Sequence, residues 1–512
     1  MSTTTRPAQA LQLTHLNQNV INAQYAVRGE LAVKAEEYRQ TLLNPNGNPN
    51  LPFNQVISAN IGNPQQLGQK PITFFRQVLS ILEYSDILKT EYASKIYPPD
   101  VIERAKQLLK EIGSVGAYSH SQGVLSIRKS IARFIEGTHS LVWLHDPLTR
   151  PVLWAILTSP ERDGYPANPN HLFCTVGASA GVSTILTTLC ASPTTGVLIP
   201  VPQYPLYTAT LSLLNATPVP YYLNEQDSWS TDISHLREET QRAKANGIDV
   251  KCIVVINPGN PTGASLKEKD IRAVIDLAKE ENLVVMADEV YQTNVFAPNK
   301  FISFKKVLSQ TIEQNPGQGY DHVPLVSLHS TSKGMVGECG HRGGYFELVN
   351  FPPDILAQIY KLVSISLCPP VIGQALVELM VNPPKPGSPS YPLYTEEYNS
   401  IFKTLQSRAL ALYEAFQKME GVSCASPQGS MYLFPTITLP KKLVERAEKE
   451  GKKPDEWYCL RLLDATGVCV VPGSGFGQKQ GEWHFRTTFL AGGEDWLGRI
   501  VRFHNELIDE FR

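Results

Sequence analysis

The chain has 512 residues, which is enough for two or three domains around a large hydrophobic core. Its 46 Lys and Arg residues balance 48 Asp and Glu residues, and the net charge of −2 argues against a nucleic acid or an anionic membrane surface as a partner. The eight cysteines form no CxxC pair, and most lie in apolar surroundings typical of reduced core thiols. No apolar run is long enough to span a bilayer, so we expect no membrane association.

The N-terminal residues bear on cellular location. Residues 1–10 are rich in threonine and lack the apolar stretch of a secretory signal. They contain one arginine, whereas a mitochondrial presequence carries several. We therefore expect a cytoplasmic protein, with a mitochondrial location as the alternative.

The elements follow one another in a recognisable order. Over residues 1–65, helical stretches alternate with a Pro- and Asn-rich loop at 44–49, which cannot stay helical. From about residue 172, short apolar strands alternate with helices, which predicts a parallel sheet buried on both faces. Catalytic groups should then gather beyond the carboxyl ends of its strands. The predicted strands are 172–176, 197–200, 218–223, 252–256, 283–287 and 325–328, and the first two predicted helices are 182–190 and 204–214.

A lysine follows the last of these strands. Residues 326–334 run from an apolar strand through hydroxyl residues to Lys333, and glycines and Arg342 come next. A lysine among small residues at a sheet edge can hold an aldehyde cofactor as a Schiff base. Ser330, Ser332 and Arg342 supply donors for a phosphate, so the pattern indicates pyridoxal 5′-phosphate. A lone lysine in a Gly-rich loop is usually just solvated, but other segments of the chain support the sharper interpretation.

Two loops at strand ends are part of that support. The small-residue turn 177–181 lies between a strand and a helix, where free N–H groups and the helix dipole favour an anion. Taken alone, such a turn often serves only packing. The loop 257–263 contains two Asn-Pro pairs and two glycines, which fix a rigid, non-helical backbone that presents the amide of Asn260.

Four further side chains complete the candidate site. Asp288 ends a strand and can pair with a pyridine nitrogen, although such an aspartate is more often a helix N-cap. Tyr291 can donate to the phenolic oxygen of the same ring, and Tyr204 can lie on its face. Arg486 lies in a segment whose alternating pattern predicts a strand. An arginine in such a segment is most often exposed on an edge strand, and the functional alternative is an arginine that binds a carboxylate through two hydrogen bonds.

Here the chain resembles the class I aminotransferases of fold type I, and among them the alanine aminotransferases, with a likeness to fungal members. The motifs that carry the resemblance are 59–66, 116–119, 203–207, 257–263, 329–344, 429–435 and 471–477. The fold that it implies is α/β: a large domain with a mainly parallel sheet flanked by helices, plus a smaller C-terminal α/β domain. The expected parts are an N-terminal arm with part of the small domain (1–80), the large cofactor-binding domain (81–370) and the small domain (371–512).

The resemblance also implies roles for single residues. Lys333 would hold the cofactor and carry the proton, Asp288 would face the pyridine nitrogen, and Asn260 and Tyr291 would reach the phenolic oxygen while Tyr204 stacks on the ring. The residues that would gather the phosphate are Ala178, Ser179, Ser330, Ser332 and Arg342, with Tyr118 from a neighbouring subunit of a homodimer. The residues that would hold the amino acid are Gly62 and Arg486, the latter through the α-carboxylate. We expect no metal.

The activity implied is transfer of the amino group of L-alanine to 2-oxoglutarate, which gives pyruvate and L-glutamate. Three alternatives stay open: an aminotransferase of other small amino acids, a lyase similar to the aminocyclopropane-carboxylate synthases, and a cofactor-binding homologue without useful turnover. One segment departs from the family. Residues 137–160 enter where relatives need only a short link, and we expect a poorly packed surface excursion or an untranslated intron carried into the sequence.

Overall fold

The computed structural model describes residues 13–23, 29–44, 50–137, 139–141, 156–158, 162–296, 298–493 and 495–512, with the backbone alone at 139–141 and 156–158. Its helices are α1 Gln18–Asn22, α2 Glu30–Leu43, α3 Thr73–Glu83, α4 Ala93–Ile96, α5 Pro99–Ile112, α6 Leu125–Glu136, α7 Ala178–Leu189, α8 Leu206–Leu213, α9 Ile233–Ala245, α10 Glu268–Glu281, α11 Phe304–Gln314, α12 Pro353–Ile365, α13 Val371–Val381, α14 Tyr391–Phe416, α15 Lys441–Lys449, α16 Pro454–Thr466 and α17 Asp495–Glu510. Its strands are β1 Ile57–Ser58, β2 His139–Leu141, β3 Ile156–Thr158, β4 Leu172–Thr175, β5 Thr195–Val201, β6 Thr217–Asn224, β7 Ser230–Thr231, β8 Asp249–Ile256, β9 Val284–Asp288, β10 Leu325–Ser330, β11 Gly344–Val349, β12 Val422–Ser423, β13 Tyr432–Leu433, β14 Thr436–Ile437, β15 Val468–Cys469, β16 Val471–Pro472 and β17 Trp483–Thr488.

The large sheet has the strand order β4-β11-β10-β9-β8-β5-β6-β7. The five strands from β10 to β6 pair in parallel, as the apolar runs predicted. Strand β11 runs antiparallel to both of its neighbours, and β7 runs antiparallel to β6. The α/β fold class is therefore confirmed. The sequence analysis had not predicted β11, which inserts between β4 and β10.

Helices cover both faces of this sheet because the strand side chains alternate between them. Val197 and Ile199 of β5 pack on one face with residues of α7, α8 and α12. Leu198 packs on the other face, against residues of α9, α10 and α11. The core strands are consequently apolar on both sides, and polar side chains of the site concentrate at their carboxyl ends.

A smaller sheet joins elements from the C-terminal third. It has the order β12-β14-β17-β13, with β16 paired to β17, and all of its pairs are antiparallel. Its hydrophobic core also contains Leu31 and Phe53, and β1 pairs in parallel with β15. The N-terminal segment thus packs on the C-terminal elements, although the domain boundaries near 80 and 370 stay predictions.

The segment 137–160 forms a short antiparallel ribbon where the structure describes it. In that part, His139 is opposite Thr158 and Leu141 is opposite Ile156, and the ribbon pairs with neither larger sheet. Residues 142–155 and 159–161 lie outside the described residues, so the predicted surface excursion stays a prediction. Both flanks lie together, since the N–H of Asp163 donates to the carbonyl of Ile135 at 3.2 Å.

The cysteines agree with the expectation of reduced thiols. All eight are free, and five of them are buried. Burial raises the pKa of the Cys190 thiol to about 11, which keeps it protonated and unreactive near neutral pH. Within the described residues, no helix is both long and apolar enough to cross a membrane.

Candidate active site

Lys333 lies in the loop after β10, between the two sheets. Its Nζ donates to the carbonyl of Gly62 at 3.3 Å and stands 5.6 Å from the centre of the Tyr291 ring. The loop is tightly fitted. Gly334 has φ +68°, and a β-carbon there would overlap the Thr293 hydroxyl, so only glycine suits this position. Gly334 also donates its N–H to Asn294 Oδ1 at 2.8 Å, which fixes the lysine from the side of β9.

Asp288 is the last residue of β9 and is buried. Its Oδ2 accepts a hydrogen bond from the Tyr207 hydroxyl at 2.6 Å, and its Oδ1 accepts from the Val290 N–H at 3.4 Å. Burial raises the pKa of Asp288, while the Tyr207 hydroxyl, the Val290 N–H and the charge of Lys333 oppose that rise. Residues 289–293 contain turns rather than a helix, so Asp288 is not a helix cap.

Arg486 occupies the middle of β17, and the alternative of an exposed edge arginine is wrong. Its side chain is only 1% exposed. Nη1 donates to Asn260 Oδ1 at 3.0 Å, and Nη2 donates to the Asn60 carbonyl at 2.7 Å. The guanidinium carbon lies 4.1 Å from the centre of the Tyr432 ring. In the described part of the chain, Arg486 forms no ion pair with an Asp or Glu, and its Nε has no hydrogen-bond partner.

Asn260 connects this arginine to the rest of the site. Its Nδ2 donates to the Tyr291 hydroxyl at 3.5 Å, while its Oδ1 accepts from Arg486. Burial raises the pKa of Tyr291 well above its ordinary value, so the phenol stays protonated and can donate a hydrogen bond. The loop 257–263, predicted from its Asn-Pro pairs, therefore links Arg486 to the hydroxyl of Tyr291, whose ring lies near Lys333.

The small-residue turn leads into helix α7, which begins at Ala178, four residues before the predicted start at 182. Gly177 is the N-cap with φ 76°, and no side chain caps the free N–H groups of Ala178 and Ser179. A β-carbon on Gly177 would come within 2.5 Å of the Arg342 guanidinium. Arg342 donates to the carbonyls of Val176 and Cys339, both at 3.0 Å. A guanidinium and an uncapped helix N-terminus thus meet at one place, which is the chemistry of a phosphate site.

The hydroxyl residues after β10 lie close to that place. Ser330 Oγ accepts from the N–H of Ser332 at 3.1 Å and donates to the carbonyl of Gly343, the residue after Arg342, at 3.3 Å. Tyr204 is partly buried between β5 and α8. Tyr118 is 81% exposed in the single chain.

Comparison with known proteins assigns the family. Residues 89–497 match the family described as aminotransferase class I and II. This chain belongs to that family. It is 48% identical to the mitochondrial alanine aminotransferase of Saccharomyces cerevisiae, over 99% of this chain and 82% of the yeast protein. It is 47% identical to a protein of the same yeast named inactive alanine aminotransferase, over 99% of this chain and 96% of that protein.

Solved structures agree on the fold of this aminotransferase. The alanine aminotransferase of Pyrococcus furiosus superposes with a TM-score of 0.70 at 22% identity, over 96% of this chain and 100% of the archaeal one. The predicted family, its fold type I architecture, the likeness to fungal members, and pyridoxal 5′-phosphate as the cofactor of a transaminase are thereby confirmed. The roles of the individual residues stay predictions.

The sequence analysis missed two residues of the site. Tyr207 donates to Asp288, and Tyr432 packs against Gly62 and Arg486. Both lie in motifs that carry the resemblance, 203–207 and 429–435, but the sequence analysis assigned no functional role to either tyrosine. Their partners are distant in the chain, so no local spacing could have indicated them.

Proposed function

We propose that this aminotransferase moves the amino group of L-alanine to 2-oxoglutarate, giving pyruvate and L-glutamate. The observation that carries the proposal is Arg486, a buried cation with no carboxylate partner in the described part of the chain. All four substrates carry an α-carboxylate, and a guanidinium is the side chain that binds a carboxylate through two parallel hydrogen bonds. The names of the similar proteins support alanine as the amino donor.

The residues present fit pyridoxal 5′-phosphate. Its phosphate suits the uncapped start of α7, at Ala178 and Ser179, together with Arg342. These groups offer free N–H donors and positive charge, and a side chain at position 177 would collide with the Arg342 guanidinium. We assign Ser330 and Ser332 to the same phosphate. When bound, the cofactor supplies an aldehyde that condenses with amines and a ring that accepts electrons.

The remaining groups divide the chemistry among themselves. We assign Lys333 Nζ to hold the cofactor and to carry the proton, because it is the amine at the centre of the site. Asp288 is assigned to the pyridine nitrogen, Asn260 and Tyr291 to the phenolic oxygen, and Tyr204 to the ring face. Gly62 accepts from Lys333 through its carbonyl, and we assign it to the amino acid substrate.

An inactive homologue is the second candidate, because one similar protein carries that name. Against it, each position assigned above holds a residue capable of its task, and the described contacts join Lys333, Asn260, Tyr291 and Arg486 into one site. Two further activities would use the same cofactor with a different outcome: transamination of a different small amino donor, or a lyase reaction that transfers no amino group to 2-oxoglutarate.

Half-reaction spectra of the purified protein distinguish these possibilities. Adding L-alanine, without any keto acid, should convert the cofactor band to that of its amine form, and 2-oxoglutarate should restore it. A panel of other small L-amino acids should react more slowly. The control variant Lys333→Ala should lose turnover by several orders of magnitude. Wild-type protein that binds cofactor but shows no spectral change with any amino acid would establish the inactive homologue.

We further propose a homodimer with shared active sites. The 81% exposure of Tyr118 supports this, because a tyrosine predicted to serve a phosphate should be covered there, and its own chain leaves it open to a neighbouring subunit. Light scattering should give about twice the chain mass. Domain boundaries near 80 and 370, and a cytoplasmic location, are proposals of the same kind. Fractionation of cells tests the location, since the similar yeast enzyme is named mitochondrial.

A further inference from the structure

Tyr432 lies at the centre of the site without an assigned task. It begins β13 and is opposite Thr488 of β17, so Arg486 is its diagonal neighbour on the same face of the sheet. The Arg486 guanidinium carbon stands 4.1 Å from the centre of the Tyr432 ring and 4.7 Å from the centre of the Phe476 ring. Both distances are those of a cation–π contact, and burial strengthens such a contact because water does not compete for the cation.

The hydroxyl of Tyr432 reaches the other half of the site. A β-carbon placed on Gly62 would overlap this oxygen and would lie 3.3 Å from Lys333 Nζ, so the hydroxyl packs against Gly62 next to the amine. The Tyr291 ring packs edge-on against the Tyr432 ring, with the ring centres 6.2 Å apart. Burial acts to raise the pKa of Tyr432, but the charges of Lys333 and Arg486 and the neighbouring Tyr291 hydroxyl outweigh it and lower that pKa.

The backbone around Tyr432 is fixed to the segment that carries the other site residues. Ser430 is buried with φ 64°, an unusual conformation for a side-chain-bearing residue, and its N–H donates to the Asn294 carbonyl at 2.7 Å. A β-carbon on Gly429 would collide with that same carbonyl. Asn294 in turn accepts from Gly334 and donates its N–H to the Tyr291 carbonyl at 2.7 Å. One asparagine therefore connects the strand of Tyr432 to the loop of Lys333.

We infer that Tyr432 is a positioning residue of the reaction, which holds Arg486 through its ring and Lys333 through its hydroxyl. This inference rests on the proposed function. The ring keeps the guanidinium directed at the place where a substrate carboxylate binds. The hydroxyl packs on Gly62, whose carbonyl accepts from Lys333 Nζ, and so keeps the amine in its place beside the substrate.

Substitutions separate the two contributions. Tyr432→Phe removes the hydroxyl and keeps the ring, so kcat should fall about tenfold while KM for L-alanine stays within about twofold of wild type. Phe476→Leu is the matched control, because it removes a ring from Arg486 and leaves the hydroxyl. It should raise KM for L-alanine and 2-oxoglutarate about 5- to 30-fold with little effect on kcat. Tyr432→Leu should show both losses.

A measurement without cofactor gives an independent readout. Competitive acetylation of Lys333 in cofactor-free protein, followed by mass spectrometry, reports how accessible the amine is. Tyr432→Phe should raise the acetylation rate of Lys333, because the hydroxyl that packs beside the amine at Gly62 is gone, whereas Phe476→Leu should leave that rate unchanged. Near-ultraviolet titration should also show a tyrosine that ionises early in wild type and is absent from Tyr432→Phe.

The outcomes keep the two proposals apart. Wild-type kcat and an unchanged acetylation profile in Tyr432→Phe would overturn the inference while the transaminase assignment stands. Wild-type protein without transamination would overturn the proposed function, and the acetylation profile would still test the link between Tyr432 and Lys333. A tyrosine titration identical in both proteins contradicts the inferred environment of the hydroxyl.

Discussion

Replacing Arg486 by lysine tests the assignment on which the proposed function depends. The guanidinium already donates to Asn260 Oδ1 and to the Asn60 carbonyl, and it offers further N–H groups to a substrate. Lysine keeps the charge but has no planar fork, so a bound α-carboxylate loses one charge-assisted hydrogen bond and its fixed orientation. We expect a loss of about 2–4 kcal/mol, or about 30- to 1,000-fold in kcat/KM for L-alanine. Either Asn260 Oδ1 or the Asn60 carbonyl should also lose its hydrogen-bond donor. This loss should lower the free energy of unfolding by about 1–3 kcal/mol.

The control is a substrate rather than a second variant. Ethylamine is alanine without the α-carboxylate, so its slow half-reaction should depend little on the side chain at position 486. The ratio of wild-type to Arg486→Lys rate constants should therefore be large for L-alanine and for 2-oxoglutarate, and close to one for ethylamine. An equal loss with ethylamine would mean that the variant disturbs the cofactor or Lys333, and the assignment of Arg486 to the carboxylate would be refuted. Unchanged kinetics with L-alanine would refute it directly.

Further expectations concern the electron sink, the subunit interface and pH. Asp288→Asn should keep the cofactor bound and lower kcat by roughly two to four decades, because the ring nitrogen loses its carboxylate. Tyr207→Phe should act in the same direction by about tenfold, and more strongly at acid pH, since it removes a donor that opposes the raised pKa of Asp288; a flat ratio to wild type across pH contradicts this. Mixing inactive Lys333→Ala subunits with Tyr118→Phe subunits should regain activity through hybrid dimers that contain one wild-type site, and no gain would argue against shared sites. Burial raises the pKa of Glu289 from 4.5 to about 7 against the opposing effect of Arg162. The protonated form of Glu289 therefore stabilises the folded protein at low pH. As the pH rises from about 4.5 to 7, the free energy of unfolding should fall by about 2–4 kcal/mol. Denaturant titrations should show this fall in the wild type and not in Glu289→Gln.

The central strands could be predicted because their burial is visible in the chain. A strand covered on both faces reads as a largely apolar run, as residues 197–201 of β5, 252–256 of β8, 284–287 of β9 and 325–328 of β10 do. The site loops were equally accessible, since a turn that needs glycine, proline or asparagine leaves few other residues possible. Strand β11 escaped prediction because it contains Glu347, whose buried carboxylate pairs with Lys305 at 2.5 Å and with Arg162 at 3.8 Å. Which cations pair with Glu347 depends on the tertiary structure, so no local sequence pattern indicates them.

The two missed tyrosines show the same limit at the level of the site. Tyr207 looks like an ordinary apolar residue of α8, and its value lies in reaching Asp288 at the end of another strand. Tyr432 belongs to a strand of two residues, too short for any periodicity. The interpretation of Arg486 as an exposed residue of an edge strand was wrong for a related reason. Alternation along β17 indicates that one face is buried, but it does not indicate which face. It also does not show that β13, β14 and β16 all pair with this strand.

The segment 137–160 joins two flanks that lie close together in the structure. Asp163 donates its N–H to the Ile135 carbonyl at 3.2 Å, and the Ala167 N–H donates to Glu136 Oε1 at 3.0 Å. The chain thus leaves and re-enters at one place, and a direct link from Glu136 to residue 161 preserves both contacts. Deleting 137–160 should therefore leave kcat unchanged, with stability unchanged or higher.

Gly137 supplies a matched control for that deletion. It ends α6 with φ 65°, a conformation that glycine adopts at little cost, so removing it can weaken the helix terminus by about 1 kcal/mol. A second deletion, 138–160, keeps this cap. Equal, wild-type-like melting of both deletions would show that the segment is dispensable, whereas collapse of both would show that it packs into the fold. Mass spectrometry of the native protein answers the remaining question, because a tryptic peptide containing Trp143 or Trp154 would disprove the interpretation as an untranslated intron. Its absence, with the peptides on either side joined through Glu136 and residue 161, would establish that interpretation.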